Sequence, residues 1–164
     1  MYTHLVSGLI LLSLVVFEAS SAPVQPKFKI LSLHSAKFVS STQNGDVHAK
    51  AGDTNDPSTD FYQHTREFPK VSYESVLSPG KFLILDEETA QLRVEEPRDG
   101  NEVFMQVQHP LNYGLFALKS YGSRADCYVA FDLHGAVSTD PHICNEDELH
   151  SGHGLATSVH ILAM

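Results

Sequence analysis

The sequence predicts an all-β domain assembled from three similar units of about 45 residues, and three observations carry this. After the first twenty or so residues, no stretch shows long helical periodicity; short β-branched and aromatic runs alternate with turn residues instead. Three segments then read alike: Ala36 to Val47, Gly80 to Leu92 and Asp126 to Val137. Each holds an aromatic followed by an aliphatic (Phe38-Val39, Phe82-Leu83, Tyr128-Val129), a turn, and a closing aliphatic. The closing residues Val47, Leu92 and Val137 are spaced 45 and 45 apart. Finally, Asp60-Phe61-Tyr62, Glu102-Val103-Phe104 and Ser158-Val159-His160-Ile161 end the three units, each as a further strand giving one apolar group to a shared core.

A strand, a tight turn and a return strand explain the repeated segment, with Asn44-Gly45 and His134-Gly135 as turn signals. Gly45 and Gly135 supply positive φ without a Cβ penalty. The middle copy carries Glu88-Thr89-Ala90 instead, so a longer turn of another type is expected there. Three units with two hairpin-forming halves describe a closed threefold architecture without the exposed strand edges that invite aggregation. A β-trefoil spanning residues 28–164 is the expected fold.

The first 21 residues read as a signal peptide. Leu5 to Phe17 is an apolar run of 13 residues, short of the roughly 20 that a membrane-spanning helix needs. Small residues follow it (Ala19, Ser20, Ser21, Ala22), and cleavage after Ser21 is expected. Residues 22–27 then form an N-terminal extension, and the mature chain is expected to be secreted and extracellular.

Composition excludes several classes of function. With 11 Lys and Arg against 20 Asp and Glu, the net charge is −9, which argues against a nucleic-acid partner. Cys127 and Cys144 are candidates for one disulfide in an oxidising compartment, with two buried or free thiols as the alternative. Neither a Gly-x-Ser-x-Gly elbow, a phosphate loop nor a His-Glu-x-x-His helix is present, so no enzyme and no cofactor are expected. His142, Cys144, His150 and His153 are ligand types for zinc, but their spacing lies outside the usual finger patterns, and a solvated polar loop with no metal is expected.

In order and spacing, the chain resembles the fibroblast growth factors over roughly residues 28 to 164. Ile30 to Phe61 is similar to their first unit, with Phe38-Val39, Asn44-Gly45, Val47 and the acidic stretch Asp53-Thr-Asn-Asp56-Pro57. Gln91-Leu92, Glu102-Val103-Phe104-Met105 and Asn112-Tyr113 follow the order of the family signature. Tyr128-Val129-Ala130-Phe131 and Val159 to Met164 resemble its later strands. The resemblance implies a monomeric growth factor that binds and activates a receptor tyrosine kinase through its ectodomain. It places receptor contacts at Leu31, Asn112, Tyr113, Leu162 and Met164.

Departures from the family are as informative. The signature cysteine is replaced by Val103, which keeps a small buried hydrophobe. Leu31 stands where the family has a receptor-facing tyrosine. After Arg124 there is no Lys or Arg, whereas the family's heparan-sulfate loop is basic. Weak or no heparan-sulfate binding is therefore expected at neutral pH, and a membrane co-receptor is a possible further partner. The rival readings are an interleukin-1-like cytokine, a trefoil protease inhibitor and a carbohydrate-binding module; the last is disfavoured by the absence of Trp.

Overall fold

The structure, a computed structural model, describes residues 25–86, 89, 91–108, 114–121, 127–138 and 154–164. The expected signal peptide therefore lies outside the described residues, as do the histidines at 142, 150 and 153. Ten strands form: β1 (Lys27–Ser32), β2 (Lys37–Ser41), β3 (Val47–Ala51), β4 (Phe61–Thr65), β5 (Lys70–Ser75), β6 (Phe82–Asp86), β7 (Gln91–Glu95), β8 (Phe104–Gln108), β9 (Phe116–Ser120) and β10 (Val159–Ala163). A 3₁₀ turn, Pro57–Thr59, precedes β4, and a single helical turn, α1 (Gly154–Thr157), precedes β10.

Six of the strands close on themselves. β1 pairs with β4, β4 with β5, β5 with β8, β8 with β9, β9 with β10, and β10 returns to β1, every pair antiparallel. The chain is thus all-β with a closed six-stranded barrel, and none of the six is left as a free edge. The remaining strands project as hairpins: β2–β3 from β1 and β6–β7 from β5. A third excursion, residues 128–137, leaves β9. It is held by the single bridges Lys119 to Tyr128 and Phe131 to Val137 rather than by regular strands.

The repeat seen in the sequence coincides with this plan. Phe61, Phe104 and Val159, the first residues of β4, β8 and β10, are fully buried in one cluster. Val39, Leu83 and Val129, each following a repeat aromatic, are buried in the same cluster. Val47 and Leu92 join them, and Val137 packs against them. Val103 is buried as well.

The hairpin tips touch their neighbours by one rule. The Gly45 carbonyl accepts from the Val94 amide at 2.8 Å, and the Gly135 carbonyl accepts from the Ala49 amide at 2.7 Å. Val94 and Ala49 each stand two residues after a closing aliphatic, Leu92 and Val47. Both glycines have positive φ, 86° and 75°. Their freedom has a second use, since a Cβ at either would collide with the backbone of the neighbouring hairpin. The middle hairpin is the longer one, as expected. At its closing aliphatic, Leu85 pairs with Leu92 across six residues, whereas Ser41 to Val47 and Phe131 to Val137 each span five.

Candidate functional site

The register of the barrel places three comparable faces on its outside. In each, one strand residue pairs on one side with a repeat aromatic and on the other with the neighbouring barrel strand. Leu31 of β1 stands between Phe38 and His160. Glu74 of β5 stands between Phe82 and Tyr62. Lys119 of β9 stands between Tyr128 and Met105. Directly opposed residues of an antiparallel pair share a face, so the members of each trio lie on one side of the sheet, Tyr128 of the third being buried. An apolar, an acidic and a basic residue thus occupy three corresponding positions.

The β1 face gathers three of the expected contact residues. Leu31 is half-buried, and Leu162 of β10 stands opposite Lys29, two positions along the same face. Met164 ends the row at 65% exposure, anchored by its amide donating to the Lys27 carbonyl at 2.9 Å. Asn112 and Tyr113, the other two expected contacts, lie outside the described residues. Cys127 is buried and disulfide-bonded; the other cysteine of the sequence, Cys144, lies outside the described residues.

One polar feature of this face escapes any reading of the sequence. Lys29 is 2% exposed, and its ammonium donates to Asp60 Oδ1 and Thr59 Oγ1. The 3₁₀ turn makes this possible: Asp56 accepts at its N-terminus from the Ser58 amide at 2.9 Å, and Pro57 fills the first position. Lys27 adds a second, more exposed cation 3.1 Å from Asp60 Oδ2. Burial pushes the Asp60 carboxyl up, but hydrogen bonds and charge from Lys29 and Lys27 outweigh it and hold the carboxyl below its ordinary range. The pair fixes the 3₁₀ turn across β1 and so sets the rim beside Leu162. Only the alternation of Lys27-Phe28-Lys29-Ile30 hints at it, and alternation alone would send Lys29 to solvent.

The β5 face is internally satisfied. His64 Nε2 and Glu74 Oε2 are 2.8 Å apart, and the second Glu74 oxygen accepts from the Gly80 amide at 2.8 Å. The His64 ring lies tilted 5.6 Å from that of Phe82. At the hairpin end, the closing aliphatics Val47, Leu92 and Val137 come together on a cavity of about 340 Å³, with His48, Lys50, Gln91 and Ala136 around it.

No protein-family model matches the chain, and no curated protein matches it. Function must be read from the faces themselves. Among the described residues there is no cluster of three or more His, Cys, Asp or Glu able to hold a metal ion. Among them, too, no helix is long and apolar enough to cross a membrane. The described arrangement offers contact surfaces of differing chemistry on one rigid barrel.

Proposed function

We propose that this chain is a secreted, monomeric β-trefoil ligand of the fibroblast growth factor type, acting by binding a receptor tyrosine kinase ectodomain rather than by catalysis. The trefoil reading is supported by the closed six-strand ring, the three projecting hairpins and the common rule by which two hairpin tips dock. The observation that carries the functional reading is the β1–β10 face. Leu31, Leu162 and Met164, which the sequence resemblance marks as contacts, fall side by side on adjacent strands. Partly exposed apolar groups held on a rigid ladder, rimmed by the Lys27–Asp60 pair, make a suitable anchor for a protein partner.

Surface-immobilised binding of residues 22–164 to fibroblast growth factor receptor ectodomains, with and without heparin, tests this. Leu31→Asp is expected to weaken binding by at least about tenfold, the effect of losing one buried apolar anchor. Heparin is expected to add little, because the chain is acidic and its last 40 residues hold no Lys or Arg. A folded protein that binds no receptor ectodomain in either condition would overturn the ligand assignment while leaving the barrel intact.

A further inference from the structure

Asn44 is the one asparagine of the sequence that is followed by glycine. Asparagine is a chemically labile residue, and this pair is its most reactive setting, because glycine has no Cβ to hinder its own backbone nitrogen. The reaction needs water and nothing else. The Gly45 nitrogen attacks Asn44 Cγ, a new N–C bond forms, and the bond from Cγ to Nδ2 breaks. The side-chain nitrogen leaves as ammonia, taking the Gly45 amide proton with it. Water then opens the cyclic imide at either carbonyl. One opening leaves aspartate at position 44; the other leaves isoaspartate, with the chain running through the former side chain.

The β2–β3 tip exposes the leaving group and withholds the nucleophile. Asn44 is exposed, whereas Gly45 is buried. The Gly45 amide donates to the Thr42 carbonyl at 3.0 Å, and the Gly45 carbonyl accepts from the Val94 amide of β7. Thr42 to Gly45 is therefore a hydrogen-bonded turn, and neither Gln43 nor Asn44 has positive φ, which makes it type I. Asn44, the third residue of such a turn, has ψ of about 0°. At that angle the Gly45 nitrogen eclipses the Asn44 backbone nitrogen and faces away from the Asn44 side chain. Ring closure requires ψ of Asn44 to rotate, and the tip is tied on both sides against it. The Thr42 amide donates to the Asp46 carbonyl at 2.8 Å, and the Asp46 amide donates to Thr42 Oγ1 at 3.1 Å. Beyond the turn, the Asp46 carboxylate lies 3.6 Å from the Arg93 guanidinium of β7.

We infer that Asn44–Gly45 is a modification site gated by the docking of the β2–β3 tip, closed while the tip leans on β7 and opened by local undocking. Such an opening costs less than unfolding the barrel, so the site reacts from a chain whose core is intact. The gate works in one direction. Isoaspartate adds a methylene to the backbone immediately before Gly45, and the tip has no slack to absorb it. An atom added at Gly45 would already sit 2.5 Å from the Val94 carbonyl oxygen. The Gly45 carbonyl then no longer meets the Val94 amide. The new carboxylate also stands two residues from Asp46, which competes for the same Arg93. The product is a barrel with one hairpin released from its neighbour.

Residues 22–164 held at pH 8 and 37 °C, with and without denaturing urea, test this by mass spectrometry of the tryptic peptide 38–50. The gain in mass from amide to acid is expected to be at least about tenfold slower in the folded chain than in urea. Arg93→Glu, which sets a like charge against Asp46, is expected to speed it at least about threefold in the folded chain. Thr42→Val, which removes one acceptor without changing charge, is expected to act in the same direction. Thermal melts check that both variants stay folded, and hydrogen exchange at the Gly45 amide measures how far each opens the tip. Isoaspartyl methyltransferase then identifies the isoaspartate fraction, in which Val94 is expected to lose its protection while the barrel strands keep theirs. Equal rates in the folded chain and in urea overturn the gate, as does a rate that fails to follow Gly45 exchange across the three chains. Full protection of Val94 in the modified fraction overturns the one-way release.

Discussion

Replacing Asp60 with asparagine is expected to lower the thermal midpoint by about 10 °C or more at neutral pH. The basis is the buried Lys29 ammonium, which would lose its only charged partner of opposite sign among its described contacts. Removing one member of a buried ion pair costs roughly 3–5 kcal/mol, since the remaining charge is left desolvated. For a domain of this size each kcal/mol corresponds to about 3 °C. Lys27, being far more exposed, contributes little. The double variant Lys29→Met with Asp60→Asn is expected to recover much of the loss, because an apolar side chain replaces the stranded charge.

The same pair gives a pH dependence of definite sign. The folded Asp60 carboxyl titrates below its ordinary value of 3.8, so its ionised form is favoured in the native state. That contribution is fully present above the ordinary carboxyl range and is lost as pH falls through the lower native value. The difference between wild type and Asp60→Asn should therefore be constant from pH 5 to 7 and shrink below about pH 4. Denaturant melts at pH 7 and pH 3 measure it. An undiminished gap at pH 3 would mean that the asparagine side chain, not the lost charge, causes the instability.

How much of this was legible in the sequence depends on which interactions are local. The hairpin repeat was readable because its signals lie within a dozen residues: an aromatic, an aliphatic, a turn glycine and a closing aliphatic. Phe61 and Val159 were readable for a related reason, since each opens a strand directly after a polar residue, and Phe104 does so after the pair Glu102-Val103. The extra length of the middle hairpin was legible as well, because Glu88-Thr89-Ala90 lacks the glycine that marks the other two tight turns and Leu85 and Leu92 enclose six residues rather than five. β9 was not marked as a strand; Phe116-Ala-Leu-Lys-Ser120 is too short for its alternation to stand out. The three outer faces were illegible, because each needs the register between paired strands, and the β1 face needs it between strands at opposite ends of the chain. Leu31 and His160 are opposed only because β10 returns to β1. The resemblance marked Leu31, Leu162 and Met164 as contacts, yet it was silent on their adjacency and on Lys29.

The largest backbone effect is expected at Gly135. Gly135→Ala should cost about 3–4 kcal/mol, whereas Gly80→Ala should cost only about 1 kcal/mol. Both glycines have positive φ, 75° and 81°, so each substitution carries the same left-handed penalty. Around Gly80 no atom lies within 4 Å of the added Cβ, and the penalty stands alone. At Gly135 the Cβ would press into the Ala49 carbonyl, which belongs to backbone and cannot rotate away. The tip must then lift from β3, and the bond from the Ala49 amide to the Gly135 carbonyl is lost. Gly45→Ala should behave like Gly135→Ala, since its Cβ would sit 2.5 Å from the Val94 carbonyl oxygen. Urea unfolding measures the series as a shift in midpoint at constant slope, and hydrogen exchange at the Ala49 and Val94 amides reports the tips directly. Equal costs at Gly80 and Gly135 would show that the hairpins do not lean on one another. A larger cost at both tips would establish that the three hairpins support each other as one cap on the barrel. In that case the contact faces on its outside inherit their rigidity from glycines that never touch a partner.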